Sequence, residues 1–338
     1  MFKNAGEEAA AIVKLWWVLF GVGLFVTLIV VGILIAGCLR NYQERTPPVA
    51  EQNLRHALVI GVSTTVILLL GMLVATHIYS QPFAGDWEES PTISVAKHSR
   101  DASASDAAEP EYQSLTIEVT GKRWWWSVAY LNESGDRLFE TANEIHIPVG
   151  VPVRLRLRSD NVIHSFWVPS LGGKEDLVPG RTNYLWLEAG QPGVYRGQCA
   201  EFCGLQHAKM AFDVVAETLE DFTDWVAVQE ASAREPQTDI ARRGRAVFRG
   251  SACANCHTIR GVSSVAHVSS QSLRAVGPDL THLASRRSLA AGTLPNRRGH
   301  LGGWIADPQS IKPGNLMPSV PLAAEDFHAL MHYLETLE

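Results

Sequence analysis

Cysteine is scarce, five in 338 residues, too few for a disulfide-stapled scaffold. No segment recurs at a fixed period, which excludes a solenoid or repeat array. Neither sign of charge dominates: 29 Lys and Arg stand against 35 Asp and Glu, a net charge of −6. A nucleic-acid partner is therefore not expected. The charge is unevenly placed, however. Residues 236–338 hold eleven basic against seven acidic residues, a net +4, which leaves −10 for the rest. A basic module joined to an acidic one suits modules that dock on each other or face differently charged partners. Two merely solvated surfaces would give the same count.

Apolar residues are uneven too. Leu15 to Leu39 is one unbroken apolar run, and His56 to Tyr79 is a second; each exceeds the roughly 20 residues that cross a bilayer. Either alone could be a buried core helix. As a pair joined by a short polar loop, they read as a membrane hairpin over residues 1–80, with spans at about 15–39 and 56–79. Arg40, Arg45 and Arg55 outnumber Glu44 and Glu51 around the loop, which puts it in the cytoplasm and everything after Tyr79 outside. "IAGC" ending at Cys38 resembles a lipoprotein cleavage box. Cleavage there would thread the second run inward and strand the remainder in the cytoplasm, so Cys38 is read as a small apolar residue at a helix end.

Residues 81–111 are polar, rich in Ser, Ala and Asp with three prolines, and read as a linker. Residues 112–218 change to short β runs, such as "SLTIEVTG", "RWWWSVAYL" and "VPVRLRLRS". Many short strands at near-regular spacing predict a sandwich or small barrel. Residues 219–237 form an acidic connector, helical at first, and 238–338 a small helical module.

"CANCH", Cys253 to His257, has the spacing that attaches a haem through two thioethers, with His257 turned onto the iron. A zinc knuckle would want a second ligand pair, and no cysteine follows. A thioredoxin-like pair would not need the adjacent histidine. Met317, in "PGNLMP", is the candidate sixth ligand; Met331 and the histidines His267, His282, His300, His328 and His332 are its rivals. "GRAVF" (244–248), "LMHYL" (330–334) and "GPDL" (277–280) make the module resemble class I cytochromes c. That resemblance implies crossed first and last helices and a loop that buttresses the axial histidine.

"RGQCAEFCGLQHAKM", Arg196 to Met210, sets two cysteines four apart with a histidine and a methionine. Soft thiolates select copper, zinc or iron–sulfur. One blue copper would leave a cysteine surplus, and zinc would leave Met210 idle. Two thiolates can instead bridge two coppers, each completed by a histidine and a weak axial donor. His164, in "NVIHSFWVP", supplies the missing imidazole. The expected set is Cys199 and Cys203 as bridges, His164 and His207 as imidazoles, and Met210 and the Glu201 carbonyl as axial donors.

Across His164–Met210, "HSFWVPSLGGKEDLVPGRTN" and "GQCAEFCGLQHAKM" closely resemble the CuA domain of cytochrome c oxidase subunit II. The resemblance implies a multidomain membrane protein: a two-helix transmembrane hairpin, a cupredoxin-like β-barrel and an all-α class I cytochrome c domain. It implies binuclear copper (CuA), haem c, and a Mg ion at the subunit I interface bound through the Glu201 side chain. It gives "RWWWS" an exposed ring that passes electrons to CuA, at Trp124, Trp125 or Trp126; core packing is the plain alternative for at least one of them. Two features depart from the family. The acid and Trp-Thr-x-x-Pro segment opening the second span in many relatives is replaced by "EQNLRHALVIGVSTTV", and the usual Asp three residues before His164 is Asn161. With its fused cytochrome, the chain is similar to the caa-type members. That implies an external cytochrome c or cytochrome bc complex as donor, and partners in subunit I with its haem a and haem–copper site, other oxidase subunits and membrane lipid. It also places both soluble modules outside a bacterial cell membrane. A nitric oxide reductase subunit could share every ligand, and an anchored carrier serving no fixed enzyme is a further alternative.

Overall fold

The computed structural model describes residues 5–39, 51–80, 115–263 and 277–338. The linker read at 81–111 and His267 lie outside the described residues. The chain divides into two compact units, one of them the helical pair near the N-terminus.

Helices α1 (Glu7–Leu39) and α2 (Glu51–Ser80) form that pair. Both begin before the apolar runs: α1 takes in the Ala-rich stretch after Glu7, and α2 the polar stretch from Glu51 to Arg55. Leu28, Ile33, Ile60, Ile67 and Leu73 all stand exposed. A helix apolar on every side has no aqueous face and suits a lipid surround. Both are long and apolar enough to cross a membrane.

The second unit opens with ten strands: β1 (Thr116–Lys122), β2 (Trp125–Leu131), β3 (Arg137–Ala142), β4 (Glu144–Pro148), β5 (Val153–Ser159), β6 (His164–Trp167), β7 (Lys174–Leu177), β8 (Asn183–Leu187), β9 (Gly193–Gln198) and β10 (Ala211–Glu217). One sheet runs β3-β2-β1-β5-β8, a second β4-β10-β9, and β6 pairs with β7. β1 pairs parallel with β5, and β10 parallel with β4. Alternation in β5 follows the two faces: Val153, Leu155 and Leu157 are fully buried, while Arg156 and Arg158 reach the Glu118 carboxylate on β1, joined by Arg137. Burial alone would raise the Glu118 pKa, but the hydrogen bonds and charges of Arg137 and Arg156 lower it. The inner faces close over a core that includes Ile117, Trp126, Leu155, Phe166 and Phe212.

Helix α3 (Leu219–Glu230) starts at Thr218, whose hydroxyl accepts from Asp221 N. It buries Phe222 and Val226 into the same core and lays Trp225 on His146, with ring centroids 4.0 Å apart. The helical module follows, with α4 (Asp239–Gly250), α5 (Arg298–Ala306), α6 (Pro308–Ile311) and α7 (Ala324–Leu334). A two-residue ladder, Ser288–Leu289 against Leu294–Pro295, interrupts the expected all-α pattern. α4 crosses α7 at Gly244, where a Cβ would stand 2.0 Å from Ala329 O. Only a hydrogen fits there, and Phe248, Leu330, Tyr333 and Leu334 fill the surrounding core.

The helical module packs on the β module. Ala211 N donates to Ala291 O at 3.0 Å, and Arg287 N to Glu144 Oε2 at 3.0 Å. Gln206 Nε2 reaches Pro313 O at 2.8 Å, and Lys209 Nζ reaches Ile311 O at 2.6 Å. Each bond has a main-chain atom on at least one side, so shape and backbone course set this seam.

Candidate metal centres

β9 ends at Gln198, and the chain turns back into β10 through a loop that closes with a 3-10 turn, His207–Lys209. Cys199 N donates to Met210 O, and Ala200 N to Ser165 O on β6. These bonds bring the loop and His164 together at one end of the barrel. The two sulfurs lie 3.7 Å apart. His164 Nδ1 is 3.9 Å from the Cys199 sulfur, and His207 Nδ1 is 3.6 Å from the Cys203 sulfur. Met210 Sδ lies 3.8 Å from Cys203, and Glu201 O 3.3 Å from Cys199. All six residues expected from the sequence meet here, and His164, Cys199, Cys203 and Met210 are buried.

The arrangement suits a soft metal. His164 Nε2 donates to Asn161 Oδ1 at 3.2 Å, which leaves the Nδ1 lone pair aimed at sulfur. Asn161 thus orients the ring where an Asp was expected from the resemblance. A hydrogen bond from the Cys203 thiol holds Cys199 down at about 3, against burial, with His164 assisting. The same interaction, with burial, pushes Cys203 above the usual thiol range. Two buried sulfurs 3.7 Å apart can both act as thiolates only with a cation between them, whose binding would release their protons. The donor set of two thiols, two imidazoles and one thioether fits copper. The Glu201 side chain points to the surface.

The second centre is a cavity of about 260 Å³. Cys253, Cys256, His257 and Met317 line it, which brings the four sequence-expected haem residues together. His257 Nδ1 donates to Pro278 O at 2.8 Å, directing Nε2 inward. Burial lowers the His257 pKa, which favours the neutral, ligating imidazole. Gly277 packs on that ring; a Cβ would meet it at 2.5 Å. Arg286 is buried at the same wall with Nε unpartnered, and a buried unpaired guanidinium nitrogen calls for an acidic group. A tetrapyrrole with carboxylates meets these requirements. Met331 lies in the helical core instead. Both His282 nitrogens are taken by Glu338 O and Ala231 O. His300 faces Pro295 O, and His328 and His332 sit on the exposed side of α7.

The tryptophans separate. Trp126 is core, edge-on to Phe212 at 5.1 Å. Trp125 is half-buried, with Lys122 Nζ 5.6 Å from its ring, and borders the haem cavity. Trp124 was expected as a candidate exposed ring; it is 8% exposed, because the helical module covers it. Its indole N–H donates to Cys203 O at 3.0 Å, and its ring borders the haem cavity. Trp124 therefore touches both centres. Sequence reasoning missed Lys312 at this seam. Its only signal was a lysine within the proline-bounded "IKPGNLMP".

Residues 115–218 match the family model for the periplasmic domain of cytochrome c oxidase subunit II, and 241–338 match the cytochrome c model. Cytochrome c oxidase subunit 2 of Alkalihalophilus pseudofirmus is 42% identical over 223 residues, covering 66% of this chain and 61% of that protein. Subunit 2 of Bacillus sp. strain PS3 is 30% identical over 257 residues, 73% of this chain and 69% of the relative. Among solved structures, the periplasmic domain of subunit II of cytochrome oxidase of Bradyrhizobium japonicum is 35% identical with a TM-score of 0.32, covering 34% of this chain and 93% of that one.

Proposed function

Because the chain belongs to the cytochrome c oxidase subunit II family and carries a cytochrome c domain, we propose that it passes electrons from haem c to binuclear CuA and on to haem a of subunit I. There dioxygen would be reduced with proton pumping. Bound copper and haem would supply one-electron carriers; the chain's own residues hold and connect them. Cys199, Cys203, His164, His207, Met210 and the Glu201 carbonyl would hold the copper. Cys253 and Cys256 would tether the haem, and His257 and Met317 would hold its iron. The reading takes residues 112–218 as the CuA domain and 238–338 as the cytochrome domain. The α1–α2 hairpin anchors both outside a bacterial cell membrane, against subunit I, other oxidase subunits and lipid. Glu201 presents its carboxylate for Mg at the subunit I interface. An external cytochrome c or a cytochrome bc complex delivers electrons to the haem module.

One observation carries this reading: Trp124 donates to the Cys203 carbonyl and borders the haem cavity. A single side chain then links the two carriers, and the fusion replaces diffusional encounter with a fixed neighbour. Purification of the full chain from membranes tests it. Two coppers and one haem per chain, a near-infrared band from valence sharing, and a co-purifying large subunit with haem and copper are expected. One copper per chain would overturn the binuclear assignment. A large subunit with non-haem iron beside its active haem would move the chain to nitric oxide reduction.

A further inference from the structure

Lys312 sits 2% exposed between the two modules, in the segment joining α6 to Met317. Its Nζ donates to Trp124 O at 2.7 Å and to Ala290 O at 3.0 Å. The same side chain borders the cavity lined by Cys256, His257 and Met317. Trp124 in turn donates its indole N–H to Cys203 O. Two hydrogen bonds therefore connect the haem module's methionine segment to a residue of the dithiol pair.

Nothing about packing alone requires an amine here. An apolar side chain of equal length would fill a closed seam without the desolvation of a charge. That cost shows in the Lys312 basicity, pushed down to about 7 by burial first and by the charge of Lys209, with Cys203 opposing. What the amine adds is a donor for two carbonyls from different modules and a positive charge between two centres.

We infer that Lys312 is a positioning residue for transfer between the centres: it fixes the Trp124 main chain, and so the indole on Cys203, to the haem module, and it sets a cation between the two sites. This deepens the subunit II reading and rests on it. When protonated, the amine stabilises an added electron on either side, so it raises both midpoint potentials. The clamp holds the seam closed around Trp124.

The test uses the full chain in its membrane complex at about pH 6, where the amine is protonated, with Lys312→Met and Lys312→Gln. Haem absorption and the near-infrared copper band are recorded first. Their absence from the unaltered chain would overturn the subunit II reading and this inference with it. With both present, Lys312→Met is expected to lower both midpoint potentials and to slow flash-induced electron transfer from haem to copper. It should also speed hydrogen exchange at the Ala211 and Arg287 amides, which bond across the seam, by about tenfold, as loss of a buried charged donor would. Lys312→Gln keeps a donor without the charge; lowered potentials with near-normal exchange are expected. Unmoved potentials in both variants would overturn the inference, even if exchange quickened, because a purely structural lysine would produce that pattern.

Discussion

Trp124 meets the copper loop through one polar contact, its indole N–H on the Cys203 carbonyl at 3.0 Å. Trp124→Phe keeps an aromatic ring in the seam and deletes that donor, leaving a buried carbonyl unpaired. The expected cost is roughly 1–3 kcal/mol of stability, read as a lower Tm. On the subunit II reading, the haem and copper bands persist while haem-to-copper transfer slows in flash kinetics. At this scale the residues that meet at each centre were legible in sequence because most of each set is local. Cys199, Cys203, His207 and Met210 lie on one loop, and Cys253, Cys256 and His257 on one turn. His164 was legible only through its neighbours. The burial of Trp124 and Lys312 was not, since each is covered by the other module and no window of sequence contains both.

At the scale of elements, β4, β10 and α3 meet around one histidine. His146 Nδ1 faces Glu217 at 2.8 Å, its Nε2 faces Glu144 at 3.0 Å, and Trp225 stacks on the ring. Burial alone would depress the His146 pKa, but the two carboxylates raise it above the model-peptide value of 6.5. A raised folded-state pKa contributes stability that is fully present below the unfolded value and is lost as pH climbs through the folded one. The Tm is therefore expected to decline as pH rises above about 6.5, and His146→Gln to flatten that decline. Melting curves across a pH series check it. Element identity was legible where a pattern was strong, as in the alternation of β5 and the apolar runs of α1 and α2. β3 and β7 escaped. "RLFETA" pairs on one side only, at a sheet edge, and "KEDL" puts three charged residues before its one apolar residue and is held by its ladder to β6. In both, pairing rather than side-chain pattern makes the strand.

For the whole molecule, the opposite charges of the two modules suggested electrostatic docking. The seam relies instead on bonds to main-chain atoms, among them Ala211 to Ala291, Gln206 to Pro313 and Lys312 to Trp124. Opposite charge is present nearby, since Arg287 and Arg196 act on Asp213. Burial is nevertheless the first cause of that carboxyl's raised pKa, followed by repulsion from Glu144. Salt screens exposed charges over about 10 Å at 0.1 M and leaves buried contacts largely unaffected. Flash-induced transfer between the centres is therefore expected to hold its rate from low to high ionic strength, whereas reduction by a diffusing basic or acidic donor protein should not.

The covering of Trp124 has one more implication. Its ring is shut away beneath the helical module, while Phe202 on the same dithiol loop stays open to solvent. On the subunit II reading, an electron held by the haem module would then meet the dithiol loop at a covered contact, Trp124 on the Cys203 carbonyl, instead of at a ring open to solvent.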